Sequence, residues 1–244
     1  MTDCELFATT PRNLEPLAAA ELRTLGAHSV SETRGGARFH GNLATAYRAC
    51  LWSRVANRIL LVLDRFPAPD ADALYDGVRR IAWHEHFDVR TTFAVTFNSS
   101  QSAVSHSHFG AQKVKDAIVD QFRERFESRP DVDTERPDIT VDVYLYRDSA
   151  TVSLDLSGES LHRRGYRPRG AAAPLKENLA AAILLRASWP ETARSGGALI
   201  DPMCGSATLP IEAALIAADI APGLLRRQWG FLRWHQHDAD TWYV

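Results

Sequence analysis

Between Gly196 and Leu215 the chain reads GGALIDPMCGSATLPIEAAL. A glycine pair is followed by a short apolar run, Ala198 to Ile200, which predicts a buried strand with Asp201 at its carboxyl end, where open α/β sheets place their ligands. Gly205 permits close backbone approach. The amides of Ser206, Ala207 and Thr208 are placed to face a carboxylate or phosphate at the start of the next helix. Pro210 suits that helix's first turn. No GK[ST] follows, so this is not a Walker loop; a plain strand-to-helix turn remains the alternative. A parallel sheet needs crossovers of a dozen or more residues, and several do not fit before Val244. The pattern alone leaves open how such a loop is completed.

Upstream lies GESLHRRGYRPRGAAAP, a basic linker over 158–175. Arg163, Arg164, Arg167 and Arg169 stand close together beside His162 and Tyr166, with no acid among them. Such a cluster neutralises phosphates, and Tyr166 can stack on a base. The alternative is a solvated linker whose arginines pair with neighbouring acids.

The preceding residues fall into two blocks. Residues 1–66 show the order βαββαβ: a strand at LFATT, a helix opened by Pro11, a hairpin turning at Gly35-Gly36, a helix around LATAYRACLWS and a strand around RILLVLDRF. That order suggests a ferredoxin-like unit. After Pro67, residues 67–157 alternate again, with helical ADALYDGVRRIAW, a strand TFAVTF and a long helix from Phe109 to Phe126. Two strands follow, paired across Arg147-Asp148. This is a second α+β domain.

With 244 residues, 45% hydrophobic and 24% charged, the composition is that of a folded protein of one or two domains. A net charge of −2 requires any nucleic-acid contact to come from a local basic surface. Cys4, Cys50 and Cys204 lie far apart with no CxxC pair, so neither a disulfide framework nor a thiolate zinc site is indicated, and a reducing, cytoplasmic setting fits. The amino terminus shows no basic n-region followed by a continuous apolar stretch, and no run of about 18 apolar residues occurs in the sequence, so neither secretion nor membrane spanning is expected. The pairs His84/His86 and His106/His108 lack a third ligand at telling spacing, so no metal is expected; Ser beside His106 reads as a helix cap. Cys204 has no evident paired base.

Three segments together resemble a known family: TFAVTFNSSQSAVSHSHFGAQKVKDAIVDQF with RPDITVDVYLYRDSATVSLDLSGESLHRRGYR, then APLKENLAAAIL, then LIDPMCGSATLPIEAA. They are similar to the THUMP-domain, S-adenosylmethionine (SAM)-dependent RNA methyltransferases, most of all the bacterial large-subunit ribosomal RNA enzymes acting on guanine N2. The resemblance implies an α+β chain. A ferredoxin-like lead-in (1–66), a THUMP RNA-binding domain (67–157) and the basic linker (158–175) would precede the incomplete start of a Rossmann-like methyltransferase domain (176–244). It places Asp201, Pro202, Cys204, Gly205, Ser206 and Thr208 on the cofactor loop and Lys176 and Glu177 on the flanking helix. Leu161 to Arg167 match the family's junction, and the implied partner is structured RNA, large-subunit ribosomal RNA foremost.

Two departures stand out. The family usually carries Gly where this chain has Ala207, whose methyl group restricts φ and crowds the methionine carboxylate. The Asn-Pro-Pro-aromatic motif that the family uses for catalysis is also missing, since no Pro-Pro pair occurs in the sequence. The resemblance thus assigns no catalytic residue here, implies a chain inactive by itself with one strand and two helices of an incomplete sheet, and so leads to the expectation that residues after about 175 pack poorly. A non-catalytic RNA-binding module and a transfer RNA methyltransferase of the same family are the competing readings.

Overall fold

A computed structural model describes residues 3–167 and 175–242. They form two compact units: the residues up to Ile59 with Glu159–Gln228, and Leu60–Gly158 with the segment from Trp229 onward.

The first unit opens with β1 (Cys4–Thr9), α1 (Glu15–Thr24), β2 (His28–Thr33), β3 (Gly36–Gly41) and α2 (Leu43–Trp52), and leads into β4 (Arg58–Pro67). β3 lies antiparallel to both β1 and β2. Gly35 turns the hairpin at φ +82°, a value open to glycine at no steric cost. The order βαββαβ is the expected one. α1 starts at Glu15 rather than at Pro11, because Asn13 takes a left-handed φ of +68° that breaks the helical path. α2 is capped by Asn42, whose Oδ1 accepts from the Thr45 amide at 3.0 Å.

The same unit contains α5 (Glu177–Arg186), α6 (Trp189–Arg194) and α7 (Thr208–Ala217). Ala182 of α5 packs with Leu14, Ala18 and Val55, and Leu179 and Leu185 close the edges of this core. Asn178 is fully buried and donates to Asn57 Oδ1 at 2.8 Å. The expectation of poor packing beyond residue 175 is therefore corrected for α5. Its apolar face finds the lead-in helices instead of a sheet.

The segment before α7 behaves otherwise. Residues 197–200 form no strand. Ile200 is 86% exposed and Met203 91%. The predicted buried strand at Ala198–Ile200 is thus corrected: a parallel strand is stabilised by hydrogen-bonding neighbours on both sides, and no strand among the described residues pairs with this segment.

In the second unit the strand order is β4-β7-β6-β5, with β5 (Phe93–Ser100) parallel to β6 (Ile139–Tyr146) and β7 (Ser149–Asp155) antiparallel to β6 and β4. Alternation dictates the faces: Phe93, Phe97, Val141, Val143, Leu145, Ala150 and Val152 are buried, while Asn98 and Tyr144 face outward. α3 (Ala71–Arg80) and α4 (Ser107–Phe126) belong to this unit. A Cβ on Gly77 of α3 would stand 2.0 Å from the Phe66 ring, so only glycine allows the helix this close. Asp70 caps α3 by accepting from the amides of Asp72 and Ala73. The expected serine cap of α4 is absent; its N-cap is His106, without a side-chain bond.

The segment from Trp229 packs with the second unit, where the Gly230 amide donates to Leu156 O at 3.0 Å and Trp229, Phe231 and Trp242 gather their rings. His86 serves the same packing: its ring stacks on Trp234 and its Nδ1 accepts from Trp234 Nε1 at 3.1 Å. Burial pushes its pKa down to about 4.

Candidate functional site

Across the junction residues 159–167 the structure gives each cation a distinct environment. Arg163 remains at the surface, paired with Glu159 at 3.2 Å. Such an exposed pair is worth at most about 1 kcal/mol and yields easily to a phosphate. Arg164 is 1% exposed. Its guanidinium donates to the carbonyls of Leu161 (2.6 Å), Arg54 (2.6 Å) and Ser53 (3.3 Å), and its Nε lies 3.6 Å from Glu212 Oε1. The expectation that Arg164 meets RNA is therefore corrected. Five donors in a planar fork suit it to gathering carbonyls in the interior, and no face of it is left for a phosphate.

Tyr166 is likewise committed: its hydroxyl donates to Glu212 Oε1 at 2.9 Å. Burial, then the Glu212 charge, drive its pKa upward, so it stays a neutral donor. Glu212 sits on α7 one turn beyond Thr208, fully buried. Burial raises its carboxyl pKa while Arg164 and Tyr166 pull the other way. Arg167 closes the group, with Nη2 donating to Leu175 O at 2.7 Å and Thr208 Oγ1 at 3.0 Å, and lying 3.4 Å from Glu177 Oε1. Two residues assigned to the cofactor region, Glu177 and Thr208, thus meet a residue assigned to RNA. Arg169 lies outside the described residues.

His162 accompanies this cluster, its Nδ1 2.8 Å from Ser160 Oγ. Burial and then the cations Lys176, Arg163, Arg164 and Arg167 lower its pKa to about 4.

The loop itself is open. Pro202, Met203, Cys204, Gly205 and Ser206 are exposed and Asp201 is half-buried. Asp201 Oδ1 accepts from the Met203 amide at 3.2 Å, and the Ala207 amide closes a turn onto Cys204 O at 2.7 Å. The Ala207 amide is thus spent inside the loop rather than offered to a ligand. Ala207 sits at φ +58°, ψ +27°, the left-handed region that its methyl group disfavours. Ser206 Oγ lies 3.2 Å from Thr208 Oγ1, so the loop is tied to α7 and through Thr208 to Arg167. Lys176 is exposed just ahead of α5, while Glu177 is buried.

Glu212, Arg54 and Arg226 were not singled out in the sequence. Arg54 donates to Ile220 O at 3.0 Å, and Arg226 donates to the carbonyls of Glu159, Ser160 and Arg163. A signal existed for Glu212 alone: a carboxylate inside the apolar run LPIEAAL requires a partner. Among the described residues no three His, Cys, Asp or Glu side chains gather as a metal site.

Three family models cover most of the chain in sequence order: the RlmL ferredoxin-like domain over residues 5–60, the THUMP domain over 68–155 and the RMKL-like methyltransferase domain over 164–241. The chain thus carries a THUMP domain and an RMKL-like methyltransferase domain. Over 238 residues, 98% of its length, it is 61% identical to the ribosomal RNA large subunit methyltransferase K/L of Methylococcus capsulatus. It is 60% identical to the enzyme of that name from Syntrophotalea carbinolica. It spans 32% and 33% of those relatives, about a third of their length. Among solved structures, a Listeria monocytogenes protein described as an N6-adenine-specific DNA methylase superposes with a TM-score of 0.87 at 32% identity, covering 100% of this chain and 62% of that one. SMU.472, described as a methyltransferase and crystallised with SAH, gives 0.85 at 33% identity, covering 100% and 63%.

Proposed function

We propose that this chain is the RNA-holding and cofactor-loop portion of a SAM-dependent methyltransferase acting on guanine N2 of large-subunit ribosomal RNA, in the cytoplasm. The observation that carries the reading is the bond from Arg167 to Thr208, which fastens a basic junction to the loop 201–208 in one buried cluster. The 61% identity to a ribosomal RNA large subunit methyltransferase supports the substrate class, and the SAH complex of SMU.472 supports the cofactor.

The loop suits the amino-acid end of SAM. Gly205, at φ +52°, has open space on its Cβ side, and the exposed run Pro202 to Ser206 presents backbone to an incoming carboxylate. The half-buried Asp201 carboxylate is placed to accept from an ammonium group. SAM supplies an electrophilic methyl group when bound. The chain's own part is to hold the loop through Arg167, Thr208 and Glu177 and to keep Arg163 at the surface, where its exposed pair with Glu159 yields to phosphate. Because the Asn-Pro-Pro-aromatic run is not in the sequence, turnover by these 244 residues alone is not expected.

The exposure of Ile200 and Met203 specifically favours a second reading, an RNA-binding module without cofactor. Competition binding tests the substrate class: a large-subunit ribosomal RNA transcript should displace a labelled copy of itself at lower concentration than transfer RNA does, at equal salt. Equal or reversed displacement would overturn the ribosomal assignment.

A further inference from the structure

On the second unit, within the residues that the THUMP model matches, β6 carries Tyr144 and Tyr146 on its outward face. Their rings lie parallel within 7°, centroids 6.2 Å apart. The arrangement follows from the strand: residues two apart point the same way, at a spacing of about 6.6–6.8 Å. Tyr144 is 46% exposed, although tyrosine bodies are usually covered. The Arg147 guanidinium stands 5.1 Å over the Tyr146 ring and is held there by its Nε, which donates to Gln101 Oε1 at 3.0 Å.

The turn that presents it is itself costly. Arg147 and Asp148 both take left-handed φ, +48° and +55°. Asn-Gly or Gly-Gly would meet this geometry without strain. Asp148 is secured from both sides, its Oδ1 accepting from the Ala103 amide at 2.9 Å and its amide donating to Ser102 Oγ at 2.9 Å.

Register completes the face. Tyr144 stands opposite Asn98 on β5 and Thr151 on β7, and Thr151 stands opposite the exposed Arg65 on β4. The surface is therefore two aromatic planes flanked by two arginines and an amide. The acids nearby are Asp142 on the same strand, Asp148 in the turn and Asp64, whose Oδ1 accepts from the Arg65 amide. Aromatic planes with flanking arginines match the two parts of an unpaired nucleotide: the rings take the base and the cations its phosphates. A duplex, with its bases stacked internally, offers nothing to the rings.

We propose that the outward face of β6 is a second nucleic-acid site, a stacking platform for an unpaired stretch of RNA, with Tyr144 and Tyr146 contacting bases and Arg147 and Arg65 contacting phosphates. This extends the reading of the chain as RNA-holding by adding a contact separate from the junction arginines.

The test uses the 244-residue chain and a labelled mixed-sequence 12-nucleotide RNA, with a blunt duplex of the same sequence for comparison. Tyr144→Ala should weaken binding of the single strand about tenfold, Tyr144→Phe should keep wild-type affinity, and neither should change duplex binding. Arg147→Gln should reduce the slope of log K against log salt by about 0.7. An unchanged melting temperature for Tyr144→Ala, an exposed site, separates lost contact from lost fold. Single-strand affinity unaffected by Tyr144→Ala, or no single-strand binding at all, overturns the proposal. Loss on Arg163→Ala with none on Tyr144→Ala leaves the junction reading standing and this one refuted. If Tyr144→Ala instead abolishes self-association and leaves RNA binding intact, the face is a protein contact and the proposal fails.

Discussion

Removing the Arg164 side chain should destabilise the first unit without acting on RNA directly. Arg164→Ala deletes three charge-assisted bonds, to Leu161, Arg54 and Ser53 carbonyls, and leaves Glu212 without its cation 3.6 Å away. Each such bond contributes on the order of 1.5–3 kcal/mol, but these do not sum, because the desolvation of the guanidinium opposes them. Breaking a buried ion pair from one side costs about 3–5 kcal/mol. For a chain of this size each kcal/mol moves the melting temperature by about 2–4 °C, so a fall of roughly 6–20 °C is expected. Thermal unfolding followed by circular dichroism measures it, with hydrogen exchange locating the loss in α7 and residues 53–54. The double variant Arg164→Met/Glu212→Leu should recover most of the stability, since replacing both charges by apolar groups is close to neutral. A loss below about 1 kcal/mol with a clear drop in RNA affinity would refute the reasoning and return Arg164 to the RNA surface.

Other outcomes follow from the same geometry. Arg167→Ala should weaken SAM binding and speed amide exchange over 201–209 while leaving the salt dependence of RNA binding unchanged; Arg163→Ala should do the reverse, lowering the salt slope by about one. Ala207→Gly relieves a left-handed alanine and should stabilise the loop by about 0.5–1 kcal/mol after the entropy of the unfolded glycine is counted, seen as slower exchange in the loop. Stability should fall as pH drops from 6.5 to 4. His86 and His162, held near 4 by burial, take protons more readily in the unfolded chain across that window. The raised carboxyls of Glu21 and Glu212 act oppositely, binding protons more readily in the fold. His162→Gln should therefore flatten the acid limb measured by urea titration.

What the sequence disclosed followed the range of the forces involved. Alternation and turn residues placed β6 and β7 across Arg147-Asp148, because strand period and hairpin turns are local. The βαββαβ order of the lead-in was legible for the same reason. The strand at Ala198–Ile200 was not: its apolar run is real, but strand formation depends on neighbours that composition cannot supply. Charge alone leaves the basic junction open between an RNA surface and arginines paired with neighbouring acids; burial divides it into a surface Arg163, an interior Arg164 and an Arg167 turned to the loop, each beside a glutamate. Glu212, the acid that draws Arg164 and Tyr166 inward, lies 48 and 46 residues further along the chain. Pairings at that separation leave no periodic trace.

The central claim is that the loop 201–208 is a SAM site held by the junction. Isothermal titration calorimetry of the 244-residue chain with SAM, beside Asp201→Ala, tests it most directly. Saturable binding that is lost in Asp201→Ala is the predicted result. No heat with the wild-type chain, or binding that Asp201→Ala leaves untouched, would contradict it.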